Sequence, residues 1–175
     1  MPTTISINRA PVLTLWAAVV AQRLGFCWDE SLSLGKALAG LNAQSKGRRL
    51  GIFKPHEEKT KAARKRERGE KFWIELCGRL VPAKNTADGI RALTGRSVAT
   101  AESAEAYLEE TKFGDDLEAA RAAMTTLAHA YRPRDLANEA FALYEEFRPA
   151  IPEGVKGWGA KRLLDLRTIR SLANA

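Results

Sequence analysis

Apolar residues return every third or fourth position along most of this chain, the spacing that lays them on one side of an α-helix. Pro11 suits a first-turn position, and Val12, Leu15, Trp16, Val19, Val20 and Leu24 recur at these steps until Gly25, predicting a first helix buried on a broad face. Asp29 is placed to cap a second helix, with Leu34, Leu38 and Leu41 as its stripe and the polar run Asn42 to Gly47 as its end. So short a link forces the two into a hairpin or a helix-turn-helix-like pair. Further on, Phe72, Leu76 and Leu80 share a four-residue spacing with Trp73 and Cys77 beside them. They predict the docked second half of a long helix that starts near Glu57 and is closed by Pro82. Thr86 to Gly95, Thr100 to Gly114 and Asp115 to Pro133 read as three more helices, each opened by a capping side chain. Leu136, Ala140, Leu143, Tyr144 and Phe147 mark another, and Leu163, Leu166, Ile169 and Leu172 the last, starting near Ala160.

The expectation is therefore an all-α fold, a single domain of about eight helices, with an N-terminal helical pair and a projecting basic helix. Its segments are 1–55 (helical hairpin and basic loop), 56–81 (long helix) and 82–175 (helical body). At 175 residues and 45% hydrophobic composition the chain is large and apolar enough to bury one core. The longest apolar stretch, Val12 to Ala21, is half of what a bilayer-spanning helix needs, and Arg9 is the lone charge before it. That pattern predicts a core helix rather than a signal peptide or membrane span. Cys27 and Cys77 are too few for a disulfide framework and sit beside aromatic residues, which points to a reducing, cytoplasmic setting.

Charge changes the picture most. From Lys36 to Lys71 twelve Lys/Arg face four Glu, a local balance of +8 in a chain whose total is only +7. A basic block on an otherwise neutral body marks contact with a polyanion, most often nucleic acid. Lys46, Arg48 and Arg49 lie among glycines, whose backbone approaches a phosphate closely, and Lys54 follows. Lys59, Lys61, Arg64, Lys65, Arg66 and Arg68 then scatter around one helical cylinder with little alternation of sign. These ten are the candidate nucleic-acid-binding residues. Phe53 is the sole aromatic residue near them, so phosphate contact to double-stranded DNA fits better than a stacking platform for single strands or RNA.

The first two helices carry a second pointer. Ala21 and Gly25 stand four apart, Phe26 follows, and Leu34 falls nine residues beyond the glycine. Residues 11–45 thereby resemble helix-turn-helix DNA-binding proteins. Ser31 departs from that pattern, where an apolar β-branched residue is usual, and Leu32 comes one position late. The resemblance implies a second helix that reads base edges with long polar side chains, yet Ser31, Ser33 and Lys36 are nearly all it offers.

Catalytic chemistry finds no footing. His56 and His129 have no spaced His or Cys to form a metal site, no Walker spacing follows a strand, and no nucleophile has a base. No metal or cofactor is implied. Trp158, between Gly157 and Gly159, either plugs the core or meets a partner. The reading is a non-enzymatic, cytoplasmic DNA-binding protein making mainly phosphate contacts. The alternative is a regulatory, protein-interaction module whose basic arm binds an acidic partner.

Overall fold

A computed structural model describes residues 4–7, 9–45, 71–94, 97–149 and 162–174. Strand β1 (Thr4–Ile7) leads into α1 (Arg9–Arg23) and α2 (Trp28–Ser45). Then come β2 (Phe72–Leu76), β3 (Arg79–Thr86), β4 (Gly89–Thr94) and β5 (Ser97–Val98). A short α3 (Ala101–Ala106) continues through a π-helical turn (Tyr107–Phe113) and a 3-10 turn (Gly114–Asp116) into α4 (Leu117–His129). The chain closes with α5 (Pro133–Phe147), β6 (Arg162–Asp165) and α6 (Leu166–Ala173).

Helix α1 is the centre of the body. Every residue from Pro11 to Ala21 is buried, so the helix is apolar all round and has to be enclosed. It packs against α2, α4, α5 and the π-helical turn. Trp16 is fully buried. Its indole N–H donates to the Ala140 carbonyl at 2.8 Å, and its ring meets Phe147 edge to face at 5.3 Å. The α1–α2 contact is closest at Gly35, where a Cβ atom would lie 2.5 Å from the Thr14 carbonyl oxygen and 3.0 Å from the Ala18 nitrogen. Only glycine lets the two backbones approach so near.

The all-α expectation is corrected: the described residues form a mixed α/β fold with six α-helices and two antiparallel sheets, β1-β6 and β2-β3-β4-β5. The described end of the expected long helix, residues 71–81, is β2, a turn and the start of β3. A spacing of four satisfies period 2 as well as period 3.6, so Phe72 and Leu76 suited both. The deciding residues are Cys77 and Gly78, with φ of 49° and 77°. Two successive left-handed residues make the tight turn whose twist matches a hairpin, with Leu76 opposite Arg79. Pro82 lies inside β3 opposite Trp73 and beyond the stretch Ala83–Thr86 that pairs with β4, where a missing N–H is tolerated.

The expected helix after Thr86 is instead β4. The Thr86 hydroxyl does bond the backbone, accepting from Asp88 N–H at 3.2 Å and donating to the Gly89 carbonyl at 2.7 Å, but it closes a hairpin turn. The last expected helix begins late, because Arg162–Asp165 pair with Thr4–Ile7. The Asp165 carboxylate then accepts from Arg167 N–H at 2.9 Å and starts α6. Other expectations hold in detail. Thr100 accepts from Ser103 N–H ahead of α3, and Leu136, Ala140, Leu143, Tyr144 and Phe147 are the buried face of α5. Among the described residues no helix is long and apolar enough to cross a membrane.

The α1–α2 contact sets an expected outcome. Gly35→Ala should lower stability by about 1–3 kcal/mol through overpacking. Gly40→Ala, on the exposed side of α2 with nothing within 4 Å, should raise it by up to about 1 kcal/mol. Urea unfolding of both variants checks the pair, and a neutral Gly35→Ala would refute the close approach.

Candidate nucleic-acid interface

All ten sequence-predicted contact residues, Lys46, Arg48, Arg49, Lys54, Lys59, Lys61, Arg64, Lys65, Arg66 and Arg68, lie outside the described residues, as do Trp158 and His56. The structure does show what the basic window joins: it runs from the end of α2 to the first strand of the four-stranded sheet. The described residues themselves carry 15 Lys/Arg and 16 Asp/Glu, close to charge balance, so the chain's excess of cations comes from residues not described.

In an antiparallel ladder, directly opposed residues share a face. Phe72, Leu76, Val81, Ala83 and Ala92 are buried on one face of the sheet and join the core. The other face carries the exposed Glu75 opposite Leu80, Trp73 opposite Pro82, then Lys84 opposite Arg91. Lys71, exposed just before β2, places its Nζ 5.1 Å from the centre of the Trp73 ring. Lys84 is half-exposed and forms no ion pair among the described residues. Arg91 is buried to 8% exposure and donates from Nη1 to the Ile90 carbonyl. Like charges directly opposed across a ladder are unfavourable. Stacking on a tryptophan needs unpaired bases, so toward a duplex only the lysines beside Trp73 have a phosphate-contact chemistry. Sequence reasoning did not bring Lys71, Trp73 and Lys84 together because it wound Trp73 onto a helix and placed Lys84 beyond its end.

Two α2 side chains hold the sheet in place. Strand β5 is only two residues long, which leaves part of β4 without a partner strand. The Glu30 carboxylate accepts from Ile90 N–H at 2.9 Å and, with its other oxygen, from Cys27 N–H at 3.1 Å just before α2. One glutamate thus caps the helix and a strand edge together. The buried Ser33 hydroxyl accepts from Ala92 N–H at 2.8 Å and donates to the Ala99 carbonyl at 2.6 Å. It is inserted where those two groups would otherwise bond each other, while Ala99 N–H still reaches the Ala92 carbonyl at 2.8 Å. Burial pushes the Glu30 carboxyl up, but the Ile90 and Cys27 hydrogen bonds and the Arg91 charge outweigh it and hold the group below its ordinary range.

Helix α2, the reading helix that the helix-turn-helix resemblance implies, spends its side chains on these contacts. Ser31 to Gly35 and Ala37 to Ala39 are buried. Between Trp28 and Leu41 the charged side chains it shows are Asp29, Glu30 and Lys36. The Lys36 Nζ lies 4.5 Å from the Tyr107 ring centre.

A cleft of about 350 Å3 lies elsewhere on the body, bounded by Trp28, Glu105, Glu109, Asp115, Glu118 and Arg121 among others. The Arg121 guanidinium stacks 3.7 Å above the Trp28 ring. Four carboxylates against one arginine make this wall repel a polyanion. Among the described residues no group of three or more His, Cys, Asp or Glu is arranged to hold a metal ion. Cys77 is buried in its turn, where desolvation pushes its thiol up to about 12 and leaves it unreactive, whereas Cys27 is exposed. Comparison with protein-family models, with curated proteins and with solved structures finds no match.

Two outcomes follow from the α2–β4 junction. Glu30 has a depressed folded-state pKa, so its stabilisation is present above about pH 4.3, the ordinary glutamate value, and is lost as pH falls through the lower folded value. Glu30→Gln should therefore flatten the acid side of the stability–pH curve, measured by urea unfolding from about pH 6 to pH 3. Ser33→Ala strips partners from two buried backbone groups and should cost about 1–3 kcal/mol in the same assay.

Proposed function

We propose that this chain is a non-enzymatic DNA-binding protein that holds a duplex mainly through its backbone phosphates, with low sequence specificity. One observation carries the reading: twelve cations against four glutamates between Lys36 and Lys71, on a body otherwise near neutrality. Like charges concentrated in one window repel each other, and a polyanion relieves that repulsion while releasing its own condensed counterions. Lys46, Arg48, Arg49, Lys54, Lys59, Lys61, Arg64, Lys65, Arg66 and Arg68 are the principal contacts. Lys71, Trp73 and Lys84 extend the surface onto the sheet into which the window leads. The acidic cleft beside Trp28 limits the faces a duplex can approach. Low specificity follows from the chemistry. Phosphate contacts fix position without reading sequence, and between Trp28 and Leu41 α2 shows few long polar side chains for base edges.

Fluorescence anisotropy with a random duplex tests the proposal. If about six phosphates are neutralised, the logarithm of affinity should fall against log salt with a slope near −5. Replacing Lys46, Arg48, Arg49, Lys59, Lys61, Arg64 and Lys65 by glutamine should abolish binding at moderate salt. Lys84→Gln alone should lower the slope by about 1 and weaken all sequences alike. Absence of binding in dilute buffer, or binding that the glutamine variant retains, would remove the proposal.

A further inference from the structure

Where α1 ends against α4, a recess of about 210 Å3 opens between Val19, Gln22 and Arg23 on one side and Thr125, Ala128 and His129 on the other. Val19 and Ala128 are buried and apolar, whereas Gln22 and His129 are exposed and Thr125 is half-exposed. Arg23 is the unusual member. Its Nη2 donates to the Tyr131 carbonyl at 3.0 Å, tying the end of α1 to the chain just past α4. Its Nε is shut off from solvent and has no partner, and the guanidinium meets no carboxylate within ion-pair distance among the described residues.

A capping role at the C-terminal end of α4 explains the Nη2 bond and part of the charge. It leaves a half-buried cation over an apolar floor with a free Nη1, and an uncompensated charge in such a place is costly. The rim supplies neutral donors: the Gln22 amide, the Thr125 hydroxyl and one imidazole N–H of His129, present in either tautomer. None of the side chains that line the recess carries a negative charge, and each polar one among them has a donor. The adjoining groove, past Gln22 and Thr125, holds Glu118 together with Arg121, so the recess itself has no acid in its lining.

We infer that this recess binds a small free oxyanion of the phosphate or carboxylate class. Arg23 supplies the charge, and Gln22, Thr125 and His129 complete the donor set. The site is independent of the nucleic-acid reading. A duplex presents its phosphates along a convex ridge, whereas this recess is concave and framed by two helices.

The test is a titration of the full-length, 15N-labelled chain with inorganic phosphate, followed by NMR. The expected result is a saturable shift of the Arg23 side-chain Nε–H resonance and of the Gln22, Thr125 and His129 amides. Arg23→Gln should weaken binding roughly tenfold, the usual effect of losing a charged hydrogen-bonding group. Should that variant fail to fold, the double variant Thr125→Val, His129→Gln changes only rim side chains. It should weaken phosphate binding roughly threefold or more at an unchanged melting temperature. Shifts that do not saturate, that leave Arg23 unmoved, or that persist at full affinity in these variants would overturn the site. A random duplex added at equal phosphate concentration should leave the recess resonances in place. Displacement of inorganic phosphate by the duplex would overturn the free-ion assignment.

Discussion

The burial of α1 from Pro11 to Ala21 constrains everything else in this molecule, because a stretch with no exposed side has to be walled in by other elements. Helix α2 comes nearest, and Gly35 permits it by presenting no side chain to the Thr14 carbonyl. Helix α5 closes another side, and its Ala140 carbonyl takes the indole proton of Trp16, which would otherwise sit unpaired in a dry core. From there the aromatic packing runs on through Phe147 and Tyr144. Buried residues from the N-terminal strand to the last helix belong to one cluster around this rod.

With α1 enclosed, the exposed edge of the sheet becomes the next constraint. A four-stranded meander whose outer strand is two residues long leaves backbone donors of β4 without a strand to accept them. The polar residues of α2 meet that need, Glu30 at Ile90 and Ser33 at Ala92. This is why a helix that resembles a DNA-reading element in sequence is committed to the interior in three dimensions. Its Ser33 is bonded to β4 and to Ala99 rather than offered to a base edge.

Electrostatics then separates the molecule into parts. The described residues are close to charge balance, with a carboxylate-rich wall around Trp28 and Arg121, while most of the surplus lysine and arginine falls in the sequence window between α2 and β2. The carboxylate wall disfavours approach of a polyanion to that face. The Arg23 recess is a different kind of cationic feature, a single fixed guanidinium on an apolar floor, suited to one small anion rather than to a chain of phosphates.

The helices that bury a stripe were legible from the chain, since α1, α4 and α5 announce themselves by apolar spacing and α3 by Thr100 before it, although Pro133, read as the end of α4, is the first residue of α5. So was the charge partition, which depends on composition alone. The strands were not. Phe72, Leu76 and Leu80 fit a helix and a strand equally by spacing, and a left-handed Cys77 is not a residue that signals a turn. Strand β1 finds its partner β6 more than a hundred residues away, a pairing no local window contains. The sheet patch stayed hidden because its strands were read as helix, and the Arg23 recess because it joins residues about a hundred positions apart. What the sequence by itself determined is where apolar faces and charges lie, because periodicity and composition are local properties. The tertiary structure alone decided which short segments pair as strands and which polar groups meet, because hydrogen-bond partners are set by contacts that exist only once the core around α1 has closed.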